Sequence, residues 1–195
     1  MAHVQNILAC HALATQEEVQ HGLEWYAKAQ EEAQAIADAT QLPLRVVVGV
    51  IAALSPTNLW GQNVKDARLF CDTFTSGGYY TDVKASTYKA MWEKAWAILE
   101  DVPQDAQRVA TLLNGPKITD FFWCIMGQDN CVIDGHAWGI AHADRRVMQD
   151  VPFIGKKARL DLQDAYRVAA HAKGIKAYQM QATTWVTWRR LHGIG

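Results

Sequence analysis

The chain has 195 residues, half of them hydrophobic and a fifth charged, with a formal net charge of −1. That balance excludes a disordered polyelectrolyte and an indiscriminate polycation. The length suits one large domain or two small lobes with a substantial core.

No apolar stretch approaches the ~20 residues that a membrane helix needs. The opening "MAHVQNILACHALATQEE" lacks a basic segment ahead of its short apolar part, so a secretory signal is not expected. Cys10, Cys71, Cys124 and Cys131 are far apart and form no CxxC pair. Such spacing fits reduced thiols in a cytoplasmic protein better than a disulfide framework.

In chain order the pattern is helical. "TQEEVQHGLEWYAKAQEEAQAIADA" begins with a Thr-based cap signal, uses good helix formers and repeats apolar residues every three or four positions. After Pro43, "PLRVVVGVIAAL" reads as a strand on propensity and equally as a fully buried helix on length. "SPTNLW" breaks it, "GQNVKDARLFCDTF" is helical and "TSGGYYTD" is a loop. "ASTYKAMWEKAWAILED" is helical, and "VPQDAQRVATLLN" places Pro103 in the first turn, where its missing N–H costs nothing. "GPKITDFFWCIMG" is a helix entered through Gly-Pro and left through Gly127. A turn and a short extended approach then lead to "DGHAWGIAHA", a helix with Asp134 at its cap. The loop "VPFIGK" precedes two helices, about 156–173 and 176–191. The expected fold is all-α, a single unit over 1–195.

Charge is unevenly distributed. Residues 1–144 carry 9 Lys/Arg and 17 Asp/Glu, whereas residues 145–195 carry 10 and 3. A basic face for an anionic partner such as DNA and simple segregation of solvated charge both fit this pattern. Eight tryptophans enlarge the core and also offer flat surfaces on which a base can stack. "GKK" ahead of a helix is a candidate anion site, too short for a nucleotide-binding P-loop. Cys124, Cys131, His136 and His142 fall within 19 residues, but their spacing matches no tight zinc knuckle. No metal or other cofactor is implied.

Several segments together resemble the helix–hairpin–helix (HhH-GPD) DNA glycosylase superfamily. "VVVGVIAALSPTNLWGQNVKDARLF" is similar to the family's early helix, Ser-containing turn and helix. "LLNGPKITDFF" resembles a shortened helix–hairpin–helix with its lysine-bearing helix. "VIDGHAWGIA" resembles the segment holding the catalytic aspartate, and "TTWVTWRRLHG" the late helix behind the site. Lys117 and Asp134 stand 17 residues apart, close to the family's separation. The likeness covers about residues 43–192; the long helix at about 15–39 is extra to it, and no iron–sulfur cysteine cluster follows. The order of the phrases looks closer to compact phage and bacterial branches that build or excise modified pyrimidines, including in anti-phage defence, than to housekeeping repair enzymes.

The resemblance implies a DNA N-glycosylase that flips a modified base out of duplex DNA and cleaves its glycosidic bond. Asp134 would stabilise the sugar cation; Lys117 would be a lyase nucleophile, a phosphate contact or a surface charge. His136, Trp138, Trp60 and Asn58 would line the base pocket or fill the gap, each with an ordinary packing role as its alternative. Thr57, Gly115, Arg145, Arg146, Lys156, Lys157, Arg159, Arg189 and Arg190 would meet the DNA backbone. Asp120, three residues past Lys117, is a candidate ion-pair partner for it. DNA is the only partner implied; neither a membrane nor a protein partner is. A base-modifying transferase on the same fold, a DNA-binding protein without chemistry and a helical protein-interaction domain remain as alternatives.

Overall fold

The computed structural model describes residues 1–102 and 104–194 and is all-α, with ten α-helices and no strand among them. The helices are α1 (Ala2–Ala12), α2 (Gln16–Thr40), α3 (Leu44–Leu54), α4 (Trp60–Thr75) and α5 (Lys89–Asp101). They continue as α6 (Ala106–Leu113), α7 (Pro116–Ile125), α8 (Gly135–His142), α9 (Lys156–Lys173) and α10 (Ala177–Leu191). Among the described residues no single helix is long and apolar enough to cross a membrane.

Chain contacts divide the protein into a unit of residues 1–27 and 127–195 and a unit of residues 28–126. In the second unit α3 is the axis. Its residues from Val46 to Leu54 are all buried, and α4, α5, α6 and α7 pack around it. This resolves the strand-or-helix ambiguity of "VVVGVIAAL". An eleven-residue segment surrounded on every side satisfies its backbone internally, so its β-branched side chains give up only a little helix propensity. Gly49 permits the close packing: a Cβ there would stand 2.6 Å from Val109 Cγ1.

Pro103, expected in the first turn of α6, lies outside the described residues. The helix itself starts at Ala106, where the Asp105 side chain accepts a 2.8 Å hydrogen bond from the Arg108 amide. Between α6 and α7 the turn is only Asn114, in the left-handed region at φ 42°, and Gly115. The half-buried ammonium of Lys94 donates to the Leu113 carbonyl, placing a cation at the negative end of α6.

In the first unit α1, which the sequence pattern did not suggest, packs on α8, α9 and α10. Ile7, Ile133, Ile140, Leu162, Tyr166 and Met180 form the middle of its core. The N-terminal end of α2 is fixed by a reciprocal cap. Thr15 N–H donates to Glu18 Oε2 at 2.8 Å, and Glu18 N–H donates to Thr15 Oγ1 at 3.2 Å. Glu18, only 7% exposed, also receives Arg190 through two bonds of 2.6 and 3.1 Å, and the Thr187 hydroxyl at 3.3 Å. These donors, Arg190 foremost, hold its carboxyl below the ordinary glutamate range against the cost of burial. One turn further, Gly22 rests directly on α10: a Cβ there would lie 2.1 Å from Thr183 Oγ1 and 2.6 Å from its Cα.

Two stability predictions follow from this α2–α10 seam. Because backbone cannot step aside as a flexible side chain can, Gly22→Ala costs about 2 kcal/mol and lowers Tm by about 5 °C in thermal unfolding. The Glu18 contribution has the sign of a depressed carboxylate. It is fully present above the unfolded-state pKa and disappears as pH falls through the lower folded value. Tm of the native chain therefore drops on acidification more steeply than that of Glu18→Gln, and parallel curves would contradict the seam's role.

Candidate functional site

In the first unit the chain enters α8 through Cys131, Val132 and Ile133, all buried, and then reaches Asp134, which is half-buried. Asp134 has extended backbone and is the N-cap of α8, its Oδ1 accepting the Ala137 amide at 2.9 Å. The cap leaves Oδ2 without a hydrogen bond among the described residues. The segment after α8 lies over Gly135: a Cβ there would stand 2.5 Å from Met148 Sδ and 3.3 Å from Val151 Cγ2. Arg159, from α9, donates Nη1 to the Ile133 carbonyl at 3.0 Å and so brings a guanidinium to the residue preceding the aspartate.

His136, two residues past Asp134, links α8 to α10. His136 meets Trp185 edge to face at 6.1 Å, and the Arg189 guanidinium lies over the Trp185 ring at 4.3 Å. Trp138 faces inward. It is 8% exposed, its ring stacks on His142 at 4.2 Å, and Arg146 covers it at 5.2 Å while pairing with Asp144. Trp185, partly exposed, is thus the indole that meets His136, a residue the sequence pattern did not single out. Its signal was present in "TTWVTWRR", but nothing local tells which tryptophan of that helix faces out.

Tyr166 is wholly buried beneath the same helices, and its hydroxyl has no hydrogen bond of good geometry among the described residues. The neighbouring Thr184 hydroxyl donates instead to the Met180 and Gln181 carbonyls. Burial, reinforced by Cys131, Cys10 and Asp134, pushes the phenol far up, so Tyr166 stays protonated and is a donor rather than a base.

The basic residues expected at DNA divide into three groups. Arg190 is committed to Glu18, and Arg145 donates Nη2 to the His192 carbonyl at 3.1 Å, so both are engaged in the fold. Arg146, Arg159 and Arg189 are partly engaged, as described above. Lys156 and Lys157 are exposed on the first turn of α9. A wide, shallow concavity of about 890 Å³ lies at the α9–α10 turn, lined by Asp129, Arg167, His171 and Lys176 but by neither Asp134 nor His136. Asp129 there is used to cap α10, accepting the Ala177 amide at 2.7 Å.

The second unit holds the other expected residues. Lys117 is exposed on the first turn of α7, just after Gly115 and Pro116. A lysine in water lacks the dry setting that activates a Schiff-base amine. Phe121, one turn on and on the same face of α7, meets Trp60 edge to face at 6.3 Å. Trp60 is also held by Glu32 through a 3.2 Å hydrogen bond from its indole N–H.

The turn ahead of Trp60 is rigid. Asn58 donates Nδ2 to Asp66 at 2.9 Å, Ser86 N–H donates to the same carboxylate at 2.7 Å, and the Thr87 hydroxyl donates to the Pro56 carbonyl at 2.6 Å. Thr57 occupies φ 59°, a strained conformation for a β-branched residue, and such strain concentrates at functional turns. The apolar tip of the turn is Leu59, 80% exposed, rather than Trp60.

The four cysteines are free and buried, Cys124 in the second unit and Cys131 in the first. Desolvation raises Cys10 and Cys71 to about 12, as for inert core thiols.

No curated protein and no solved structure matches the chain. A family model described as a family of unknown function, DUF7178, matches residues 1–192. The chain belongs to that family, DUF7178.

Proposed function

We propose that the protein is a DNA N-glycosylase of the helix–hairpin–helix kind, acting on a flipped, modified base, most simply a modified pyrimidine. The observation that carries the reading is the state of Asp134: its carboxylate is fixed at the start of α8 by one oxygen, while the other oxygen has no hydrogen-bond partner among the described residues. Cleavage of the bond between C1′ and the base nitrogen leaves the electron pair on the base and positive charge on the sugar. A pre-positioned carboxylate lowers the energy of that cation and accepts the proton of the water that adds to C1′. Trp185 and His136 supply a flat and a polar surface at the first turn of α8, and Arg189 a positive charge for phosphate. Exposed Lys117 is assigned to a phosphate, which makes water the nucleophile.

The test uses Asp134→Asn, because asparagine caps a helix as well as aspartate does. Duplexes containing uracil, hydroxymethylated or glucosylated pyrimidines are incubated with each protein and assayed for abasic sites. Asp134→Asn is expected to keep its Tm and DNA affinity while base release falls at least about 100-fold. Unchanged release would remove Asp134 from the chemistry. Borohydride added during turnover is expected to trap no covalent protein–DNA adduct; a crosslink lost in Lys117→Gln would restore the lyase assignment.

A further inference from the structure

The segment between α8 and α9 has a surface that the chemistry above does not use. Phe153 is 95% exposed, although a fully solvated phenylalanine ring gains nothing for the fold. The same segment exposes Val147 and Met148. Pro152 fixes the backbone ahead of Phe153, whose Cε1 lies 3.8 Å from where a Cβ of Gly155, the N-cap of α9, would be. Lys156 and Lys157 follow directly on the first turn of α9, exposed and without an ion-pair partner among the described residues. Across residues 145–160 there are five Lys/Arg and a single acidic residue, Asp150. The start of this segment also packs on Gly135, immediately after Asp134.

We infer that Phe153 together with Lys156 and Lys157 forms a second nucleic-acid contact, in which the ring stacks on a base that has left the helical stack and the lysines hold the adjacent phosphates. An exposed ring with free cations three and four residues away is the combination that unstacked nucleotides select. Every base has a face to stack, and each nucleotide carries one charge. The net positive charge of the segment chooses an anionic occupant over a neutral protein surface. The inference rests on the DNA reading proposed above and adds to it a place on the first unit where unpaired nucleotides are recognised.

Binding, not base release, tests it. Fluorescein-labelled duplexes, one fully paired and one with a single unpaired pyrimidine, are titrated with the full-length protein at low salt and followed by anisotropy. Phe153→Ala is expected to weaken binding to the unpaired site about tenfold and to the paired duplex by no more than about twofold. Phe153→Trp is expected to restore binding. The double substitution Lys156→Gln, Lys157→Gln is expected to weaken both duplexes alike and to reduce the salt slope by about two. Because the ring is solvated, Phe153→Ala should leave Tm unchanged, so a folding defect would be visible separately.

Wild-type affinity for both duplexes in Phe153→Ala would overturn the inference. So would a loss confined to phosphatidylserine vesicles, or a dimer that Phe153→Ala dissolves while DNA binding persists. If the native protein binds neither duplex, the DNA reading falls together with this one. If the native protein binds, and Phe153→Ala weakens the unpaired site, but no base is released from any substrate, only the glycosylase reading falls.

Discussion

The hydrogen bond from the Ala137 amide to Asp134 Oδ1, 2.9 Å long, fixes the one carboxylate on which the chemical reading depends. An N-cap is a structural device worth about 1 kcal/mol. It is also a way of aiming a charge, because the donor that satisfies one oxygen fixes the direction of the other. In α8 the cap is reached through three consecutive buried residues and followed by Gly135, which allows the 147–151 segment to approach. Small-residue tolerance, cap geometry and the exposure of the carboxylate are thus one arrangement.

The surrounding framework keeps that arrangement in place. The first unit is joined through α10, which meets α2 at Gly22 and Thr183 and again at Glu18 and Arg190. Its other face presents Trp185 and Arg189 next to His136. A single helix therefore carries both the seam of the unit and the indole that meets His136, with the guanidinium that covers it. In the second unit α3, buried from Val46 to Leu54, plays the corresponding structural part, and the strained turn that follows it is held by Asp66.

Much of the local structure was legible in the sequence because local chemistry determines it. The Thr15–Glu18 cap, the Asp134 cap and the Gly-Pro entry to α7 are short-range patterns, and each stands where the pattern put it. What failed to show depends on distant partners. Helix α1 has weak periodicity and is held by the packing of α8, α9 and α10 on its Ile7 and Cys10 side. Arg190 reads as a phosphate contact until Glu18, 172 residues earlier, is found against it. Trp138 and Trp185 look equivalent in the sequence; packing by His142 and Arg146 turns one inward. Trp60 loses its place at the tip of its turn to Leu59 because Glu32 and Phe121 hold its ring.

The most direct measurement is mass spectrometry of the small molecules and the oligonucleotide left after the native protein acts on DNA bearing a modified pyrimidine. A glycosylase yields the free base and a strand lighter by that base with water added at C1′. An intact strand, or one heavier by a transferred group on the base, would contradict the account.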